Sequence, residues 1–61
     1  GGRVDRLVGQ RCILLDPRCR GQVWTAERVA REGMKMTGVG IVPHDEYRLA
    51  TPEECAAWDN R

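Results

Sequence analysis

Short apolar segments, separated by glycine and proline, dominate the pattern along this chain. The first segment, residues 11–15, reads Arg-Cys-Ile-Leu-Leu and lies between Gly9 and the turn residues Asp16 and Pro17. A run of this length bounded by turn residues is typical of a buried strand. We therefore predict a strand over 11–15, followed by a tight loop that ends at Gly21.

Residues 22–30 fit two patterns. As a helix, this segment would place Ala26, Val29 and Ala30 on one face, at spacings of three and four residues. As a strand, it opens with Gln-Val-Trp-Thr, which is rich in residues that favour sheets. A strand from Gln22 to about Val29 would also form a hairpin with residues 11–15 at once, and we predict the strand.

Three more short strands are predicted, at 35–37, 39–42 and 47–50. A turn is expected at 31–33, and the glycines near residue 39 indicate a second turn or a bulge. Pro43 should end the pairing of the segment before it.

The clearest local signal is the start of a helix after Ala50. Thr51 has the properties of an N-cap, Pro52 suits the first helical position, and Glu54 completes a capping box three residues after Thr51. Two helical turns are marginal in water on their own, so this helix must dock on the sheet. Trp58 is its expected anchor, and Trp24 is the corresponding large side chain of the strands.

In order, these elements resemble a small SH3-like barrel. The resemblance lies in residues 21–51, with a Gly-X-Val strand start, a glycine-rich return, Val42-Pro43, and a closing Arg-Leu-Ala-Thr over 48–51. It covers about half of the chain and is at the level of the superfamily. It implies a mainly β fold of four to five short strands with a short capped C-terminal helix, and a role in binding nucleic acid or peptides or in inhibition.

Barrels of this kind also form a plasmid-borne dihydrofolate reductase, whose active-site strand reads Val-Gln-Ile-Tyr-Pro. Residues 39–43 here read Val-Gly-Ile-Val-Pro, without the glutamine and tyrosine, so the resemblance does not imply that activity. Fold alone does not determine function. Since the residues of that activity are missing here, we expect a binding module with no enzymatic activity and no cofactor.

A chain of 61 residues is expected to form a single domain, 1–61, with residues 1–3 outside its folded part. Such a chain buries only about 60% of its unfolded surface, so a partner or homo-oligomer would help to stabilise it. No apolar run approaches the ~18 residues that a membrane span requires, and we expect no membrane association. The odd number of cysteines, three, favours a reducing, cytoplasmic location, with one disulfide and one thiol as the alternative.

Zinc is considered because Cys12, Cys19, His44 and Cys55 are residue types that bind it. No pair of them has the Cys-X-X-Cys spacing of common zinc sites. We expect two core thiols, a loop thiol and an exposed histidine, and no metal.

Charge is divided unevenly along the chain. Residues 1–35 hold eight basic against four acidic side chains, whereas residues 36–61 hold two against five. Nearly all the basic residues are arginine, which suits the recognition of phosphate. We therefore predict a nucleic-acid-binding face in the first half, with Trp24, or alternatively Tyr47, stacking on a base. The predicted residues are Arg11, Arg18, Arg20, Arg28, Arg31 and Trp24.

A second hypothesis uses different features of the same fold. An exposed sheet edge or apolar patch would make the protein an interaction module or inhibitor that binds another protein. Steep dependence of binding on salt would favour the nucleic-acid hypothesis over this one.

Overall fold

Five antiparallel strands form one sheet in the computed structural model, which describes residues 2–61. Gly1, the first of the three residues predicted to lie outside the fold, is outside the described residues. Two α-helices and one 3₁₀ turn accompany the sheet. In chain order the elements are α1 (Gly2–Asp5), β1 (Arg11–Leu14), the 3₁₀ turn (Pro17–Cys19), β2 (Val23–Val29), β3 (Gly33–Met36), β4 (Gly40–Pro43), β5 (Tyr47–Leu49) and α2 (Pro52–Asp59).

The strands follow the order β4-β3-β2-β1-β5. Successive hairpins connect β1 to β2, β2 to β3 and β3 to β4. Strand β5 then pairs with the other side of β1, where Cys12 lies opposite Leu49. The mainly β prediction is confirmed, and residues 23–29 form a strand rather than a helix. Within residues 2–61 the sheet is open, with β4 and β5 as its edges.

Strand β2 contributes to both halves of the sheet. Its first part pairs with β1, and its second part pairs with β3 after a bulge between Ala26 and Arg28. A bulge inserts one unpaired residue and bends the strand that contains it. The simple two-residue alternation of faces that the sequence suggests therefore does not hold along the whole strand.

The core between the strands is formed partly by flexible methionine side chains. Met34 and Met36 of β3 are both fully buried. The chain contains no phenylalanine. Flexible thioether side chains fill the irregular space of the core instead. The whole buried cluster comprises Cys12, Leu14, Ala26, Met34, Met36, Val42 and Tyr47.

Helix α2 begins as its sequence predicts. The Thr51 hydroxyl accepts the Glu54 N–H at 3.1 Å, and the Glu54 carboxylate accepts the Thr51 N–H at 2.9 Å. This reciprocal pair is the predicted capping box.

Helix α2 docks through Trp58, although none of its residues is fully buried. The Trp58 ring meets the Trp24 ring edge to face, with 5.8 Å between the ring centroids. Gly38, in the β3–β4 turn, leaves room for Trp24, since a Cβ at this position would lie 2.8 Å from its ring.

No helix within residues 2–61 combines the length and apolar character needed to cross a bilayer.

We predict that Gly33→Ala is strongly destabilising. Gly33 is buried at the start of β3, and a side chain there would overlap the backbone carbonyl of Val42 in β4. Because the obstacle is backbone, relief requires the two strands to separate, and the expected loss is about 3 kcal/mol or more. Urea denaturation followed by tryptophan fluorescence would measure it.

Gly9→Ala is the matched control for this prediction. Gly9 has a φ of +85°, and a methyl group added there would meet no atom within 4 Å, so only backbone strain opposes the change. The expected loss is about 1 kcal/mol. Equal losses for the two variants would contradict the close approach of β3 and β4.

Candidate nucleic-acid interface

Arg11 is held by an ion pair rather than free on the surface. Its two terminal nitrogens donate to the two carboxylate oxygens of Asp59, at 2.9 and 2.7 Å. This fork-to-fork geometry fixes both side chains and joins β1 to the end of α2. Arg11 therefore supports the fold in this state, and a phosphate would have to compete with Asp59 for it.

Arg18 folds back onto its own loop. Its guanidinium donates to both oxygens of Asp16, the shortest distance being 2.7 Å, and its backbone N–H also donates to Asp16, at 2.9 Å. Asp16 thus caps the 3₁₀ turn and neutralises Arg18 at the same time. These hydrogen bonds from Arg18 lower the pKa of Asp16 from 3.8 to about 2.

A third ion pair joins α2 to β5. The Arg48 guanidinium donates to both oxygens of Glu54, at 2.8 and 2.6 Å. The hydrogen bonds from Arg48, together with the Thr51 N–H, lower the pKa of Glu54 from 4.5 to about 2. The capping glutamate of α2 is therefore also the residue that ties the helix to the sheet edge.

Arg28 and Arg31 lie at the β2–β3 hairpin, and the fold adds Lys35 to them. Arg28 of β2 is the direct cross-strand partner of Lys35 in β3, and Arg31 lies in the turn between the two strands. None of the three forms an ion pair within residues 2–61. We call Arg28, Arg31 and Lys35 the hairpin cluster.

Lys35 was missed by sequence reasoning because its position depends on the bulge. The register shift between Ala26 and Arg28 is what brings Arg28 opposite Lys35. Without it, two-residue alternation through Ala26 and Met36 would place Glu27 opposite Lys35, as a pair of opposite charge. No signal in the sequence announces a bulge at this position.

Arg20 lies at the other end of β2, in the β1–β2 loop. It lines a cleft of about 290 Å³ between this loop and α2. Strand β2 has seven residues, and a strand rises about 3.3 Å per residue, so the two ends are separated by about 20 Å. Arg20 and the hairpin cluster thus lie at opposite ends of β2. The full lining of the cleft is Ile13, Arg20, Gly21, Glu54, Ala57, Trp58 and Arg61.

Arg61 and Trp58 are two residues of this cleft that the sequence did not single out for binding. The Arg61 guanidinium carbon lies 3.4 Å above the centre of the Trp58 ring, a close cation–π contact. Both belong to the acidic second half of the chain, so a count of charges along the sequence directs attention away from them.

Trp24, the predicted stacking residue, is only partly exposed. Its indole N–H donates to the Gln22 side chain at 2.9 Å, and its ring contacts Trp58 and packs against the core. Trp24 thus contacts Trp58, which is the tryptophan that lines the cleft.

The residues considered for zinc lie in different environments. All three cysteines are thiols, and burial raises the pKa of Cys12, which is fully enclosed. His44 is engaged at both ring nitrogens, with Nε2 donating to the Ala30 carbonyl at 3.1 Å and Nδ1 accepting from the Tyr47 hydroxyl at 2.7 Å. Within residues 2–61 no three His, Cys, Asp or Glu side chains converge as a set of metal ligands.

Comparison of the chain with protein-family models, with curated proteins and with solved structures gives no match.

We predict that the Arg48–Glu54 pair makes the fold sensitive to acid. The folded-state pKa of Glu54 is depressed from 4.5 to about 2, so its contribution is fully present above about pH 5 and disappears as the pH falls towards 2. Glu54→Gln retains a residue suited to the capping box but removes the charge. Its melting temperature should fall less than that of the unmodified protein between pH 5 and 2.

Glu53→Gln is the control, since Glu53 forms no ion pair in the described part of the chain. It should keep the acid sensitivity of the unmodified protein. If Glu54→Gln shows the same drop in melting temperature as Glu53→Gln, the ion pair does not stabilise the fold.

We predict that Arg20→Gly stabilises the protein. Arg20 is the one non-glycine residue within 2–61 that has a positive φ, at +50°, as the C-cap of the 3₁₀ turn. The left-handed conformation costs a non-glycine residue about 1–2 kcal/mol, of which the greater unfolded-state freedom of glycine offsets roughly 0.5–1. The expected net gain in the free energy of unfolding is about 0.5–1 kcal/mol, measured by urea denaturation. A loss of stability would show that the Arg20 side chain supports the loop.

Proposed function

We propose that this protein is a non-enzymatic binding module that contacts nucleic acid through the hairpin cluster. The observation that carries this proposal is the direct opposition of Arg28 and Lys35 on neighbouring strands, with Arg31 in the adjoining turn. Like charges in direct cross-strand positions are destabilising. An anion bound between them converts the repulsion into attraction.

Phosphate is the anion that this arrangement suits. Arginine presents planar donors that match phosphate oxygens, and lysine adds a compact charge beside them. The Lys35 ammonium donates to the Met36 carbonyl at 3.0 Å, which holds it near the sheet rather than extended into solvent. A hairpin that carries three cations contacts successive phosphates of a backbone and fixes its position without reading the bases.

We also propose that the strands form an SH3-like barrel. Two features support this proposal: the return of β5 to pair with β1, and the bulge that lets β2 serve both halves of the sheet. Bulges at such positions bend a sheet towards closure. In this architecture the hairpin cluster lies on the outer surface of one half.

A second candidate function is the binding of another protein at the β4 edge. Val39 and Ile41 beside this edge are 45% and 46% exposed, and β4 carries no charged residue to discourage pairing with another strand. Strand addition at such an edge is a common mode of peptide recognition. This binding would depend weakly on salt, which separates it from the first candidate.

The test is a fluorescence-anisotropy titration with labelled oligonucleotides at two salt concentrations. The unmodified protein should bind more weakly as salt rises, with log affinity falling by about 0.7–0.9 per phosphate contacted, per unit of log salt. Arg28→Gln with Arg31→Gln should reduce that slope by about two and weaken binding to all sequences alike.

Arg3→Gln with Arg6→Gln is the matched control. Both are exposed arginines in or beside α1, so this change removes the same charge from a different place. It should leave the slope nearly unchanged. No binding at low salt, or equal losses in the two double variants, would contradict binding through the hairpin cluster.

A further inference from the structure

We infer that the cleft between the β1–β2 loop and α2 receives one unpaired nucleotide, with its phosphate at Arg20 and its base beside Trp58 and Arg61. This inference rests on the proposed function and adds to it a second contact and a preference for single strands. The cleft, Arg61 and the strained backbone of Arg20 have no role in binding at the hairpin cluster. The proposed nucleotide site gives each of them one.

The cleft has the size and the walls for such a ligand. Its volume of about 290 Å³ is near the lower limit of small-molecule sites, which begin at about 300 Å³. Ile13, Ala57 and Trp58 provide apolar surface, and Gly21 leaves one side open. A site that is largely apolar with cations at its rim suits a ligand with a flat, weakly polar part and an anionic part, as in a nucleotide.

The charge within the cleft is positive. Its single carboxylate, on Glu54, is already bound to both terminal nitrogens of Arg48. Arg20 and Arg61 form no ion pair in the part of the chain that the structure describes. An incoming phosphate therefore meets two guanidinium groups without an ion-pair partner in the described part of the chain, beside a Glu54 carboxylate that already pairs with Arg48.

The Arg61 guanidinium gives the cleft a flat surface. It lies over the Trp58 ring and is held there by a hydrogen bond to the Trp58 carbonyl. Unpaired bases stack on guanidinium planes as well as on aromatic rings. Because the contact with Trp58 already orders Arg61, less side-chain freedom is lost when a base stacks on it.

The backbone of Arg20 is a further observation in favour of a ligand. A φ of +50° is unfavourable for arginine, and glycine or asparagine would adopt it at lower energy. Strained residues of this kind cluster at functional sites, where the side chain is needed. The next residue, Gly21, also has a positive φ, and its N–H donates to no protein acceptor within residues 2–61. A phosphate at Arg20 would also be within reach of this N–H.

Two contact points along one strand of nucleic acid follow from this geometry. The cleft and the hairpin cluster lie at opposite ends of β2, about 20 Å apart. A base can enter the cleft only when it is unstacked and unpaired, whereas the hairpin cluster contacts phosphates of any strand. The protein should therefore bind single strands more tightly than duplexes of the same length.

The first experiment uses adenosine monophosphate alone, with tryptophan fluorescence as the signal. Trp58 lines the cleft and Trp24 contacts Trp58, so the fluorescence of both tryptophans should respond when the cleft is occupied. The nucleotide should give a saturable change, and adenosine and inorganic phosphate should each bind at least tenfold more weakly. Arg20→Gly should weaken nucleotide binding about tenfold or more, because it removes a charge-assisted contact. Arg18→Gln, in the same loop but paired with Asp16, should change it less than twofold.

The second experiment compares a single-stranded oligonucleotide with the corresponding duplex by anisotropy. Arg20→Gly should weaken single-strand binding much more than duplex binding and so abolish the preference for the single strand, and the Arg28→Gln, Arg31→Gln variant should weaken both. No saturable response to the nucleotide, or equal nucleotide affinity in Arg20→Gly and the unmodified protein, would overturn the inference. If oligonucleotide binding still depends on Arg28 and Arg31 in that case, the proposed function stands without the cleft. The opposite result is also informative. If nucleotide binding depends on Arg20 but oligonucleotide binding does not change when Arg28 and Arg31 are replaced, the cleft binds nucleotide and the hairpin cluster is not the nucleic-acid contact.

Discussion

The contact between Trp24 of the sheet and Trp58 of α2 is the interaction on which much of the structure depends. A helix of eight residues is not stable alone in water, and no residue of α2 is fully buried. The edge-to-face contact at 5.8 Å supplies the large apolar surface that this docking needs. It requires Gly38 at the β3–β4 turn, since any side chain there would meet the Trp24 ring. The position of α2 in turn defines one wall of the cleft.

Once α2 is docked, the arginines divide into two groups. Arg11 and Arg48 bind carboxylates of α2, and Arg18 binds Asp16 within its own loop. Of these three pairs, the one between Arg11 and Asp59 joins the basic first half of the chain to the acidic second half. Among the arginines without such a partner within residues 2–61, those at the two ends of β2 carry the proposed contacts with nucleic acid. The arginines that hold the fold together and the arginines proposed to bind nucleic acid are thus different residues.

Local features of the fold could be predicted from the sequence, whereas features that depend on distant residues could not. The capping box of Thr51 and Glu54 is a pattern within four consecutive residues, and the structure contains it. The strand over 23–29 follows from its β-favouring start and from the loop that precedes it. The pairing of Arg11 with Asp59 joins residues 48 apart in the sequence, and nothing near either residue announces it.

The same limit applies to the candidate site. Arg20 could be proposed from its place on a loop, but its strained backbone and the cleft beside it depend on the folded chain. Lys35 joins Arg28 only because a bulge shifts the register of β2 against β3. Trp24 is the aromatic residue nearest to the arginines in sequence, which is why the sequence favours it for stacking. Trp58 lines the cleft instead because α2 brings it there from the other half of the chain.

The most direct measurement is nuclear magnetic resonance of the arginine side-chain Nε–Hε groups during titration with a short single-stranded oligonucleotide. It observes the two groups of arginines in one sample, without substitutions that alter stability. We expect the signals of Arg20, Arg28 and Arg31 to shift and those of Arg11, Arg18 and Arg48 to stay in place. Shifts confined to Arg11, Arg18 and Arg48, or an absence of shifts at saturating oligonucleotide, would contradict the division of the arginines and the function inferred from it.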